Sequence, residues 1–311
     1  MASHDDDDVK STSSDNPTTG DRPARWGDHL SGLDLLAASW SPGRVRQYSM
    51  RFGDDSQQRV IAFIPKEPQP GPWVYFLFGG GWTSGSARLW SFAGNWFAHH
   101  GIPAVLGGYR LAPTHRFPEP LDDVLAGFQF SLRHAEELGI QGRRAVLSGA
   151  SSGGHLATLA ALELARRTPA TSHTGAGAQP DATVRAHGLL LVNAAVDLLL
   201  AHTPGTEGAI QALTGHARPW PEADPLTWML TDPPSADAIP RTMLVQGELD
   251  ELVDPAGAEA FAGAVNAVAP GRAEVVHAPW KEHNELVRLF LEKDPELAAS
   301  VVDWLRLTES P

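Results

Sequence analysis

The run AVLSGASSGGHLATLAALELA, residues 145–165, constrains this chain more than any other stretch. It starts as a short apolar strand signal, crosses small residues only, and continues as an Ala- and Leu-rich helix. A strand that feeds a helix with no room for a loop belongs to a β–α unit, with the strand buried and the helix packed back upon it. The pattern G-x-S-x-G falls at that turn, with Ser151 at its centre. As five letters it is weak, since a chain with this much glycine and serine holds about 0.2 such matches by chance. At a strand-to-helix junction it has a structural reason, because a strained turn that exposes a serine needs backbone freedom and little bulk around it. A serine cap on an ordinary Gly-rich helix entry is the plainer alternative.

The alternation extends over the chain from about Trp26 onward. VRQYSMRFG and QRVIAFIP read as opening strands joined across GDDS, followed by the strand WVYFLF (73–78) and the helix LWSFAGNWFAHHG. PAVLGGY is a strand, and EPLDDVLAGFQFSLRHAEELG a helix with Leu121, Val124, Leu125, Phe128, Leu132 and Leu138 on one stripe, stopped by Gly139. After the 145–165 unit come strands in LLLVNAAVDLLL, TMLVQGELD and AEVVHAPW, the helix PAGAEAFAGAVNAVAP, and one or two closing helices in ELVRLFLEKDPELAASVVDWL. The expectation is an α/β fold with a mostly parallel sheet of about eight strands and helices on both faces. Residues 26–311 form one domain, with 202–240 as a small partial lid of short helical pieces between prolines. Residues 1–25 are acidic and Ser/Thr-rich and read as a disordered tail, whose first ten residues are like an expression leader or equally a natural solvated tail. Residues 168–182 read as a mobile loop.

Composition removes several function classes. The net charge of −13 gives no basic face for nucleic acid. The absence of cysteine excludes disulfides, thiolate metal sites and a cysteine nucleophile. No apolar run reaches the length of a membrane span, and no basic-then-apolar leader opens the chain, so a cytoplasmic protein without membrane partner is expected. His4, His99 and His100 lack carboxylates at metal-ligand spacing, so neither metal nor cofactor is expected. A homodimer stays open.

Three further features surround Ser151. FGGGWTSGS (78–86) follows the third strand directly, and its glycines let the amides of Gly80 and Gly81 approach a developing negative charge. The Ser152 amide, at the start of a helix, is a third donor. A phosphate loop is excluded, because no GK[ST] follows. A serine hydroxyl needs a base, and the base an orienting acid. Downstream, Asp250 stands just past a strand end, with Asp254 in reserve; the available bases are His283, in a loop at the same edge, and His277, inside a strand. Placement favours His283. His155, one turn into the helix, reads as packing or capping. Phe78, Trp82, Trp220, Trp228 and Trp280 are candidates for an aromatic substrate wall; ordinary packing explains them equally well.

Taken in order, FGGGW, YRLAPTHRFPEPLDD (109–123), SGASSGGHLA, GELDELVD and WKEHNE resemble the α/β-hydrolase superfamily, in its branch of hormone-sensitive-lipase-like esterases, feruloyl-esterase-like proteins and kynurenine formamidases. The resemblance runs from about residue 55 to the C-terminus. It implies a cofactor-free triad of Ser151, Asp250 and His283, an oxyanion hole of Gly80, Gly81 and Ser152, and a small ester or amide as substrate. Two positions depart from the family pattern. Phe78 stands where a histidine usually precedes the glycines, and Gly108 where an acid usually precedes YRLAP, leaving Arg110 to pair with Asp122 or Asp123. A carboxylesterase for small or aryl esters is the leading expectation. An arylformamidase or amidase, a lyase, cyclase or acyltransferase, and a non-catalytic binding protein on the same fold are the alternatives.

Overall fold

A computed structural model describes residues 44–167, 185–201, 203–291 and 294–307. The proposed tail at 1–25 and the proposed loop at 168–182 lie outside the described residues. The strands are β1 (Val45–Arg51), β2 (Arg59–Pro65), β3 (Trp73–Leu77), β4 (Ala104–Gly107), β5 (Ala145–Ala150), β6 (Gly188–Val192), β7 (Arg241–Gly247) and β8 (Ala273–Ala278). They form one sheet in the order β1-β2-β4-β3-β5-β6-β7-β8. β1 and β2 make the hairpin expected across GDDS, and β2 also pairs antiparallel with β4. Every other pairing is parallel. β3, β5 and β6 are buried at every residue, as strands covered on both faces must be. That is why they read as unbroken apolar runs rather than alternating ones.

The helices are α1 (Ser91–His99), α2 (Glu119–Arg133), α3 (Ser152–Arg167), α4 (Pro204–Thr214), α5 (Pro225–Thr231), α6 (Pro255–Val268), α7 (His283–Leu286) and α8 (Pro295–Leu307). Thr203, Asp224 and Asp254 cap α4, α5 and α6, each with proline in the first turn, where a missing N–H costs nothing. α2 stops at Arg133, short of the apolar stripe's last member. Leu138 is buried all the same, delivered by a turn whose Leu138 amide donates to His134 O and which closes on Gly139 at φ 71°. The end of the chain divides into α7, a 3-10 turn (Val287–Leu291) and α8, where one or two helices were expected. No helix among the described residues is long and apolar enough to cross a membrane.

Register positions the site. Leu77 pairs with Gly149, Ala150 with Val192, Val192 with Val245 and Gly247 with Ala278, so β3, β5, β6, β7 and β8 end at one level. The loops that leave these ends share the carboxyl edge of the sheet, where ligands of open α/β sheets bind.

Candidate active site

Ser151 occupies the one-residue junction between β5 and α3. Its φ is 53°, a left-handed conformation that costs a non-glycine residue about 1–3 kcal/mol and persists only where the surroundings impose it. They do so here: the Ser151 amide donates to Val192 O at 3.0 Å and its carbonyl accepts from the His155 amide at 3.0 Å. The turn closes tightly because Gly153 lies against the end of β3, where a Cβ would stand 2.3 Å from Leu77 O.

His283 opens α7, directly after β8, and its Nε2 lies 3.0 Å from Ser151 Oγ. Its Nδ1 lies 2.7 Å from Asp250 Oδ2. A carboxylate only accepts, so Nδ1 carries the proton and Nε2 is left to accept from the serine hydroxyl. Asp250 Oδ2 also accepts from Gln246 Nε2 at 3.2 Å, and Oδ1 accepts from the amides of Leu252 and Val253, both at 2.9 Å. Four donors on two oxygens match an ionised carboxylate. Asn193, in the left-handed region at φ 41° just past β6, donates from Nδ2 to His283 O at 2.6 Å and so fixes the turn that carries the imidazole.

The competing residues lie elsewhere. Asp254 Oδ1 is taken up by the Ala256 amide as the cap of α6. His277 is half exposed on the edge strand β8 and pairs with Glu259 at 2.8 Å. A cleft of about 550 Å³ opens beside Asp250, lined by Glu248, Glu251, Asp254 and Glu282 among others.

The Gly-rich loop leaves β3 alongside Ser151. A methyl group on Gly79 would touch Ser151 Cβ and Trp90 Cζ2, each at 3.3 Å. Gly80 and Gly81 have φ 145° and 60°, and Trp82 follows at 59°. Gly80 O gathers the Thr83 and Ser84 amides and the Ser84 hydroxyl, which folds the loop back on itself. Among the described residues, no acceptor meets the amides of Gly80, Gly81 or Ser152.

The five aromatic candidates separate. Phe78 is buried, stacked on Tyr109 at 4.2 Å and 6°, while the Tyr109 hydroxyl donates to Phe78 O at 2.8 Å. Burial raises the Tyr109 pKa above its ordinary value, so it serves as a neutral donor. Trp220 is buried beneath the Arg218 guanidinium, and Trp228 faces Arg166 at 4.6 Å. These three rings are committed to packing against neighbours. Trp82 is buried with its indole N–H on His155, and Trp280 is 78% exposed three residues before His283. Arg110 pairs with Asp123 at 2.8 Å and with Glu119 at 3.0 Å. Trp90, Gln246 and Asn193 were not anticipated from sequence. A polar residue directly after the apolar run LLLV was the available signal for Asn193. No group of three His, Asp or Glu side chains among the described residues is arranged to hold a metal ion.

Residues 74–285 match the alpha/beta hydrolase fold family. Over 132 residues the chain is 34% identical to ethyl acetate hydrolase of Pseudomonas putida, covering 40% of each chain. Over 96 residues it is 35% identical to mouse arylacetamide deacetylase, covering 29% of this chain and 24% of that one. The match thus spans less than half the length of either relative. Among solved structures, a bacterial heroin esterase superposes with a TM-score of 0.69 at 22% identity, covering 90% of this chain and 89% of the other, a likeness of fold.

Proposed function

The chain belongs to the alpha/beta hydrolase fold family, and from that premise we propose that it is a serine carboxylesterase acting on small or aryl, uncharged esters. The observation that carries this reading is the line of contacts Ser151 Oγ–His283 Nε2 at 3.0 Å and His283 Nδ1–Asp250 Oδ2 at 2.7 Å. Ser151 Oγ attacks the ester carbonyl carbon as its proton passes to His283 Nε2. Asp250 holds the imidazole in the one tautomer able to accept that proton and stabilises the imidazolium that results. The carbonyl oxygen becomes an oxyanion that receives the amides of Gly80, Gly81 and Ser152, each such donor contributing roughly 3 kcal/mol to the transition state. The intermediate collapses, the leaving alcohol takes the proton from His283, and an acyl-serine remains. Water then delivers a proton to His283 and its oxygen to the acyl carbon. Collapse releases the acid and restores the serine hydroxyl.

Substrate size and charge follow from the surroundings. The Trp90 ring edge, one glycine away from the nucleophile, suits a short or flat acyl group. The net charge of −13, with Glu248, Glu251, Asp254 and Glu282 clustered in the cleft beside Asp250, disfavours the approach of an anionic substrate. The similarity to ethyl acetate hydrolase agrees with a small ester. The similarity to arylacetamide deacetylase supports a second reading, in which the same residues cleave an aryl amide.

The test is a fluorophosphonate label on the wild-type protein and on Ser151→Ala, with hydrolysis of p-nitrophenyl acetate and acetanilide measured beside it. One label per wild-type chain at Ser151, and a drop in ester turnover of roughly 10⁴-fold in the variant, are expected. An unlabelled wild-type serine, or turnover that survives the substitution, overturns the proposal. Faster cleavage of the anilide than of the ester would move the function to the second reading.

A further inference from the structure

The reaction above leaves one fully buried histidine unused. His155 sits in the first turn of α3, and its two ring nitrogens face different parts of the molecule. Nδ1 lies 3.1 Å from Trp82 Nε1 and Nε2 lies 2.7 Å from Ala223 O. An indole nitrogen only donates and a carbonyl only accepts, so Nδ1 is bare and Nε2 carries the hydrogen. This is one neutral tautomer, fixed at both ends. Burial agrees, holding the His155 pKa down at about 4.

What His155 grips is the loop with the exposed amides. Trp82 directly follows Gly81 and sits at φ 59°, a left-handed conformation that is unfavourable for a bulky side chain. Two contacts supply restraint: Trp82 O accepts from the Ala112 amide at 3.0 Å, and the indole N–H is held by His155. The His155 amide meanwhile donates to Ser151 O. One residue therefore joins the turn that presents the nucleophile to the loop that presents Gly80 and Gly81. Through Ala223 it also ties both to the 202–240 segment.

We propose that His155 is a positioning residue for the oxyanion hole: by holding the Trp82 indole across the start of α3, it sets the Gly80 and Gly81 amides at the distance from Ser151 that the tetrahedral oxyanion needs. The proposal rests on the serine-esterase reading. Its consequence is specific to the transition state. A loop that is merely misplaced still admits the substrate, so KM is kept while kcat falls.

The experiment uses the full chain with three variants, His155→Phe, His155→Gln and Trp82→Phe. Each is titrated with fluorophosphonate so that kcat is counted per reactive serine. A phenyl trifluoromethyl ketone serves as probe, because its hemiketal places an oxyanion on the same amides. His155→Phe is expected to lower kcat by about 100-fold, the effect of a displacement near 1 Å or of one lost donor, with KM within about threefold. Its affinity for the ketone should fall by the same factor as kcat. Trp82→Phe, which deletes the N–H and shortens the ring while leaving His155 in place, should reproduce both losses. His155→Gln should recover to within about fivefold of wild type, since its amide can accept from Trp82 and donate to Ala223. Wild-type kcat per titrated serine in either His155→Phe or Trp82→Phe overturns the proposal, as does a kcat loss with unchanged ketone affinity. Should His155→Phe fail to fold, Trp82→Phe and His155→Gln decide on the same readouts. A wild-type chain that neither labels nor turns over would instead sink the esterase reading, and this inference with it.

Discussion

Two glycine-to-alanine changes with opposite outcomes test how the nucleophile turn is built. Alanine at Gly153 puts a Cβ 2.3 Å from Leu77 O and 2.4 Å from Phe78 O, both main-chain atoms at the end of β3. Ordinary contact begins near 3.4 Å, and neither carbonyl can rotate away, so the start of α3 must retreat from β3 by about 1 Å. Overpacking of that kind costs about 3 kcal/mol, which lowers Tm by roughly 5–10 °C for a domain of this size. The same retreat carries the Ser152 amide and the Ser151 hydroxyl away from Gly80 and Gly81, and a misplacement near 1 Å costs about 100-fold in rate. Gly263 sits in α6 with open space around its Cβ position. Alanine there should stabilise by about 0.5–1 kcal/mol through helix propensity and leave catalysis untouched. The assay is thermal unfolding together with p-nitrophenyl acetate turnover per fluorophosphonate-titrated serine, so that unfolded protein does not count as slow enzyme. A Gly153→Ala protein with kcat within about threefold of wild type would refute the close approach of α3 to β3 as the feature that sets the site.

Other substitutions probe the remaining parts. His283→Ala should lower kcat by about 10⁴-fold or more, while His277→Ala, whose half-exposed ring pairs with Glu259, should stay within about twofold; a reversal would exchange the two roles. Asn193→Ala removes the donor to His283 O and should cost about tenfold in kcat, as one lost hydrogen bond of about 1.4 kcal/mol does, with little change in KM; unchanged kcat removes Asn193 from the support of the base. Acid should weaken the fold through His155. Its native pKa of about 4 lies below the unfolded value of 6.5, so between these values the unfolded chain binds a proton that the native one refuses, and stability falls as pH falls. The loss is about 2 kcal/mol from pH 6.5 to 5, and His187, also held down at about 4 by burial, acts in the same direction. Urea midpoints at pH 7 and 5 should therefore differ less for His155→Gln than for wild type, and equal differences would refute a buried neutral His155.

The parts legible in sequence are those set by local pattern. β3, β5 and β6 are central strands, buried on both faces, and continuous apolar runs have few other uses. Asp250 and His283 stood out in sequence because each follows a strand end in an order that the chemistry restricts, and the structure brings both into line with Ser151. What stayed hidden depends on separation in the chain. His155 looked like packing because its partners, Trp82 and Ala223, are 73 and 68 residues away. For Phe78 a pocket wall and ordinary packing stood equal, because nothing local announces that Tyr109, 31 residues on, covers its face. Trp90 stands beside the nucleophile only because Gly79 has no side chain to separate them.

The distance in sequence between Ser151 and His283, 132 residues, has a kinetic consequence. Closing a loop of that size is entropically costly and is rewarded only when β6, β7 and β8 have joined β5. The turn at Ser151, by contrast, needs only β3 and β6 beside β5, since its amide meets Val192 O and Gly153 lies against Leu77 O, and it can take shape before β7 and β8 dock. A growing or refolding chain therefore carries a serine in place but unpaired with its base, and chemically idle, until the last strand has docked. Reactivity toward a fluorophosphonate should appear no earlier than native tryptophan fluorescence, so that labelling of Ser151 would report complete assembly.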